Sequence, residues 1–252
     1  MTAPGAVAAT TGPRPAMLQR DVAVRLAAQE NARFLAQLRR LAPAHWARPT
    51  DCPSWDVKAL VGHVVGMAEM AASLPEQMRQ MRAAGKADGV FIDALTALQV
   101  AKHAEDTPEE LVARYAVIGP KAAKGRQRTP GFVRRRTMPV PQAVGGVEEK
   151  WSLGFLVDVI LTRDTWMHRI DVARAVGQEP ELTADHDGLL VADVVAEWAG
   201  RHARPCTLTL TGPAGGSWTF GAGGPEITGD AVEFCRGLSG RGAAALGTEV
   251  PF

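Results

Sequence analysis

The chain has 252 residues, 46% of them hydrophobic and 22% charged, and a formal net charge of +1. That is an ordinary folded-protein composition, long enough for one large domain or two small ones. It supplies no global field for nucleic acid or an anionic membrane, and no apolar run approaches the ~20 residues needed to cross a bilayer. The opening residues, MTAPGAVAATTGPRPA, lack the basic start and Leu-rich segment of a secretory signal, so a flexible tail is expected over 1–19. Cys52, Cys206 and Cys235 are far apart and odd in number. They predict no disulfide framework, and a cytoplasmic location follows as the default.

Residues 20–42 set Val24, Leu26, Phe34, Leu35, Leu38 and Leu41 among charges, an amphipathic helical pattern. The prolines of LAPAHWARPTDCPSW mark a loop, which Trp46 and Trp55 are expected to pin to the core, with Cys52 packed beneath. A second helix is predicted from Asp56 to Ser73, with Val57, Leu60, Val64, Met67 and Ala71 at helical spacing. A third covers 88–103. Thr107-Pro108-Glu109-Glu110 reads as a capping box opening a fourth, which carries Leu111, Tyr115 and Ile118 on one face and is expected to bend at Pro120. Residues 125–150 read as a long connection holding Arg134-Arg135-Arg136, a run that is either a solvated loop or a grip for an anionic substrate. A helix follows over 153–176 and stops at Gly177. Beyond Pro180 come a helix over 185–201, a hairpin from CTLTLTG and SWTFGAG, a short helix over 230–238 and a last strand in AALGTEV. The expected architecture is mainly α, a helical bundle over 20–179 followed by a small α+β domain over 180–252.

The chemistry concentrates in RDTWMHRIDVARAVG, residues 163–177. Asp164 and His168 stand four apart, on one helical face, with Asp171 a turn further on. Leu153, Leu156, Val157 and Ile160 lead in as a core stripe, so the polar group begins where an apolar face should continue. A carboxylate and an imidazole so placed can hold one metal ion, or form a local ion pair. A catalytic zinc site takes three protein ligands and keeps a fourth position open. His63, with Leu60 and Met67 a turn to either side, is the best remaining donor, because facing helices of a bundle are where such sites are built. His45, His103, His186 and His202 lie at helix ends or in polar segments. Spacing alone leaves open whether His63 is a ligand or a hydrogen-bonded core residue, and whether Asp171 orients a ligand or pairs with Arg169 or Arg174. There is no GxSxG elbow, Walker A loop or helix-opening GxGxxG, and the glycines of TGPAGGSW read as a hairpin turn.

Two stretches, ARPTDCPSWDVKALVGHVVGM and RDTWMHRIDVARAVG, resemble the mycothiol-dependent maleylpyruvate isomerase family. LTLTGPAGGSWTFGAG and ITGDAVEFCRGLSGR are more loosely similar to its second domain. The resemblance implies a DinB-like four-helix bundle followed by a small domain related to sterol carrier proteins. It implies a divalent metal, zinc first, on His63, Asp164 and His168, where Asp164 stands at a position the family fills with Glu. It implies Arg241, with Arg236 as competitor, as a substrate-binding arginine, and Asp171 behind the ligands. The implied cofactor is mycothiol, whose thiolate adds to an electron-poor double bond; rotation and elimination then convert cis to trans. A related S-transferase, a DinB-like hydrolase and a non-catalytic binding module are the alternatives. The implied partners are a low-molecular-weight thiol and a small electrophilic or carboxylate-bearing substrate, with no nucleic acid and no membrane. No long heptad seam decides between monomer and homodimer.

Overall fold

In a computed structural model, residues 12–88 and 90–252 are described. They form two compact units, one of residues 18–136 and 153–180, the other of residues 12–17, 137–152 and 181–252.

The first unit is built on long helices whose starts are written in the sequence. After α1 (Arg20–Leu38), α2 (Val57–Ala72) begins where the Asp56 carboxylate accepts the Ala59 N–H at 2.8 Å. Ser73 caps α3 (Leu74–Ala84), and α4 spans Phe91–Lys102. Thr107 and Glu110 form the predicted reciprocal capping box of α5 (Pro108–Arg128); such caps satisfy N–H groups that a helix cannot pair internally. The short α6 is Gly131–Arg134. Then α7 (Leu153–Phe155) passes through a π-helical turn, Leu156–Ile160, into α8 (Leu161–Ala175). Helices α1, α5, α2 and α8 pack in a closed ring, each against the next, and α4 lies on α2. Their apolar faces meet in a core of Phe34, Leu38, Leu60, Val61, Val64, Leu111, Tyr115 and Val172. The expected four-helix bundle is therefore present.

Several expectations need correction. The first helix ends at Leu38, although Leu41 still packs on the core. Helix α3 was not anticipated. α5, with Pro120 inside it, runs to Arg128, beyond residue 125 where the connection was expected to begin. The supposed connection over 125–150 holds the end of α5, then α6, then an antiparallel hairpin of β1 (Gln142–Val144) and β2 (Val147–Glu149). Its arginine run is not uniformly solvated. The guanidinium of Arg134 forms an ion pair with buried Asp158, while Arg135 and Arg136 are exposed. The helix over 153–176 is interrupted by the π turn. Buried Arg126 donates from Nε to the Val157 carbonyl there at 2.5 Å, and from its terminal nitrogen to the Thr162 hydroxyl. Burial draws the guanidinium pKa of Arg126 down to about 10.

In the second unit, α9 (Asp187–His202) packs on a three-stranded sheet and on α10 (Ala231–Arg236). The sheet contains β3 (Cys206–Thr211), β4 (Gly216–Phe220) and β5 (Glu226–Asp230), in the order β4-β3-β5. The predicted hairpin is β3–β4, with Leu208 opposite Trp218; β5, unforeseen, runs parallel to β3, with Ile227 opposite Leu208. AALGTEV is not a strand: it contains a 3-10 turn, Ala245–Gly247, with Leu246 at φ 54. Of the tail expected over 1–19, residues 1–11 lie outside the described ones. Arg14 is held, its N–H donating to the Lys150 carbonyl at 2.7 Å and its guanidinium paired with Glu149, also at 2.7 Å. Likewise the hairpin within 137–152 belongs to this second unit. Among the described residues, no helix is long and apolar enough to cross a membrane.

Acid sensitivity follows from the helix-face ion cluster on α2, α3 and α4. Lys102 Nζ lies 2.5 Å from Glu69 and 2.7 Å from Glu76, which also pairs with Arg79 at 2.7 Å. The Arg79 hydrogen bond, with help from Gln80 and Lys102, holds the Glu76 carboxyl far below its ordinary 4.5. A depressed folded-state pKa contributes stability above the unfolded value and loses it as pH falls toward the folded one. Acid titration of the unfolding midpoint should therefore show a loss below about pH 4.5 that is smaller in Glu76→Gln. An unchanged acid slope in that variant would count against the cluster.

Candidate metal centre

His63 projects from the middle of α2, and Asp164 and His168 project from successive turns of α8; α2 and α8 are packed neighbours in the ring. The structure brings these three predicted residues together. Asp164 Oδ1 lies 3.5 Å from His63 Nε2 and 3.6 Å from His168 Nε2. Both separations are too long for N–H···O hydrogen bonds, which run about 2.7–3.2 Å. They suit donors sharing one ion: with metal–ligand bonds of about 2.0–2.1 Å, tetrahedral ligand atoms stand about 3.3 Å apart. All three donor atoms fall within 4.8 Å of one another. Both imidazoles are buried and Asp164 is half-buried.

Each imidazole is oriented from behind. His168 Nδ1 lies 3.1 Å from Oδ2 of Asp171, which is wholly buried. A carboxylate accepts only, so that contact puts the proton on Nδ1 and leaves the Nε2 lone pair toward Asp164. Of its suggested ion-pair partners, Arg174 donates to Asp51 at 3.1 Å and Arg169 to Glu30 at 2.6 Å. The same Asp171 oxygen accepts from Cys52 Sγ at 3.7 Å. His63 Nδ1 meets Gln99 Oε1 at 2.8 Å. Trp55, half-buried, lies over both rings, its centroid 5.1 Å from that of His63 and 6.1 Å from that of His168. Trp55 and Cys52 do pack on the core as the loop reading expected, and they also reach the site.

The pattern of the mycothiol maleylpyruvate isomerase N-terminal domain matches residues 27–173, more than half of the chain. The chain belongs to the mycothiol maleylpyruvate isomerase N-terminal domain family. The matched region contains all three clustered donors together with Trp55, Gln99 and Asp171. The fold is similar to a crystal structure of the mycothiol-dependent maleylpyruvate isomerase, with a TM-score of 0.56, 17% identity, and coverage of 90% of this chain and 91% of the other. A histidine-to-alanine mutant of that enzyme is similar with a TM-score of 0.55, again at 17% identity and the same coverage. Comparison with curated proteins finds no match.

The family-implied arginines lie in the second compact unit. Arg241 ends the π-helical turn Gly237–Arg241 and donates to Ser239 Oγ at 3.1 Å. Arg236 is buried, with Nε 3.5 Å from Glu233. The other candidate histidines have separate surroundings. His103 contacts Asp106 at 2.7 Å and Glu69 at 3.3 Å, His45 accepts the Ala42 N–H at 3.1 Å, and His202 meets Trp198 edge-on with centroids 4.2 Å apart. Sequence reasoning missed Gln99 and, behind it, Gln80. A glutamine carries no signal of its own, and the one available hint was Gly62 and Gly66 bracketing His63, a surface that lets another helix approach.

Proposed function

We propose that the chain is a metal-dependent enzyme acting with a low-molecular-weight thiol, mycothiol by its family, on a small electron-poor substrate. The observation that carries this reading is the convergence of two histidine Nε2 atoms on one Asp164 oxygen at 3.5 and 3.6 Å. The donor set of two neutral imidazoles and one carboxylate fits zinc, and three protein donors is the usual number for a catalytic rather than a structural site. A divalent cation bound there would keep a thiol sulfur as thiolate at neutral pH. The residues themselves hold and orient. Asp171 and Gln99 fix the rings of His168 and His63, and Trp55 covers the imidazoles with an apolar face that excludes water from that side. Arg241 is the proposed anchor for a substrate carboxylate, with Arg236 as the competitor. The reaction classes that suit this equipment are cis–trans isomerisation by reversible thiol addition to a double bond, and the related transfer of the thiol to an electrophile.

Two measurements test the reading in sequence. Protein purified without chelator is expected to carry about one equivalent of divalent metal per chain. A content below about a tenth of an equivalent, not raised by added zinc, would sink the metal site. The metallated protein is then incubated with mycothiol and a panel of maleylpyruvate-like and electrophilic acceptors. Thiol-dependent conversion of at least one acceptor is expected; a metallated protein that changes none of them would overturn the enzymatic reading.

A further inference from the structure

A chain of amide hydrogen bonds runs from the His63 ring through α4 to α3. His63 Nδ1 meets Gln99 Oε1 at 2.8 Å, and Gln99 Nε2 donates to Gln80 Oε1 at 2.9 Å. Gln80 Nε2 in turn donates to the Gly66 carbonyl at 3.0 Å and to Glu76 Oε1 at 2.9 Å. Gln80 and Gln99 are both buried. The far end fixes the direction of the whole chain. A backbone carbonyl and a carboxylate only accept, so Gln80 must present its NH2 to Gly66 and Glu76 and its oxygen to Gln99. Gln99 must then present its NH2 to Gln80 and its oxygen to His63. That oxygen requires a proton on His63 Nδ1, which leaves the lone pair on Nε2, the atom facing Asp164. Reversing either amide would set a donor against a donor or an acceptor against an acceptor inside a buried site.

We propose that Gln80 and Gln99 are positioning residues that lock His63 in its Nδ1–H tautomer and thereby make its Nε2 a metal donor. The inference rests on the metal reading above for its consequence, but not for the tautomer itself. The two histidines are held by different chemistry: His168 by a carboxylate, His63 by a neutral relay whose direction is set on another helix. Gln80 reaches the His63 ring through Gln99; its other contact with α2 is to the Gly66 backbone carbonyl, which carries no information about the tautomer.

The test uses the full-length chain labelled with 15N-histidine and stripped of metal, at about pH 8, above the ordinary imidazole pKa of about 6.5. Long-range 1H–15N spectra report which nitrogen of His63 carries the proton. Wild type is expected to show Nδ1–H. Gln80→Met, close in volume but without the amide, is expected to shift His63 toward Nε2–H and to weaken zinc binding about tenfold in competition with a chromogenic chelator. Gln99→Glu, whose ionised carboxylate can only accept, is expected to keep Nδ1–H while losing stability, because it also turns an acceptor toward Gln80 Oε1. A wild-type His63 protonated on Nε2 overturns the proposal whether or not the variants fold, as does a folded Gln80→Met with unchanged tautomer and zinc affinity. A wild-type chain that shows Nδ1–H yet binds no zinc supports the relay and overturns the metal reading, so the two failures are distinguishable.

Discussion

His168→Ala is expected to release the metal on desalting and to abolish thiol-dependent turnover. Its Nε2 is one of the two imidazole nitrogens that stand 3.5 and 3.6 Å from Asp164 Oδ1, and without it the proposed site keeps two of its three donors. The loss in affinity should exceed the ~10–100-fold that removing an outer-shell partner costs. The variant also takes an N–H away from the buried Asp171 carboxylate, so some loss of stability accompanies it, of about 1–3 kcal/mol. Asp171→Asn separates the two effects. It keeps every proposed ligand but weakens the restraint on His168, and should fall in the ~10–100-fold range with turnover reduced rather than lost. Thermal unfolding with and without zinc provides the check, because a ligand that binds only the folded state raises its melting temperature. Wild type and Asp171→Asn should shift upward on zinc addition, the latter at higher zinc, while His168→Ala should not shift. A wild-type response in His168→Ala would remove this residue from the site.

The parts of this protein legible in the sequence are those written in local spacing. Asp164 and His168 are four residues apart in a helix, so their shared face follows from helical geometry alone. Asp56 and Thr107 announce helix starts because their side chains do the capping. His63 was reachable because a polar residue sits in a run of Val, Leu and Gly that must be buried. What was missed depends on tertiary approach. The relay from Gln80 through Gln99 to His63 exists because α4 lies against both α3 and α2, and the π turn is fastened by Arg126, some thirty residues earlier. Strand β5 has one apolar side chain, Ile227, among polar neighbours at the sheet edge, so its sequence shows no alternation to read. AALGTEV has the composition of a strand, but Leu246 adopts a left-handed backbone that breaks it.

Gly66→Ala should reveal how closely the helix packing and the site are coupled. A Cβ on Gly66 would stand 2.7 Å from the Cβ of Gln99 and 3.2 Å from its Cα. Neither can yield by a side-chain rotation, so α4 must move off α2. Overpacking of this kind costs about 1–3 kcal/mol, which for a chain of this size lowers the melting temperature by about 2–4 °C per kcal/mol. The same displacement carries the Gln99 oxygen away from His63 Nδ1, so zinc affinity should fall as it does in Gln80→Met. Two other helical glycines separate strain from function. At Gly125 a Cβ would meet the Ala71 carbonyl oxygen at 2.3 Å, so Gly125→Ala should destabilise at least as much, through the α2–α5 contact and without touching Gln99. At Gly119 the nearest atoms are 3.6 Å away, an ordinary contact, and Gly119→Ala should be neutral or stabilising by up to about 1 kcal/mol, because alanine is the better helix former. The expected pattern is loss of stability and zinc affinity at 66, loss of stability with zinc affinity largely kept at 125, and neither at 119. Equal loss of zinc affinity in Gly66→Ala and Gly125→Ala would mean that general loosening of the bundle, rather than the seating of α4 on His63, controls the site.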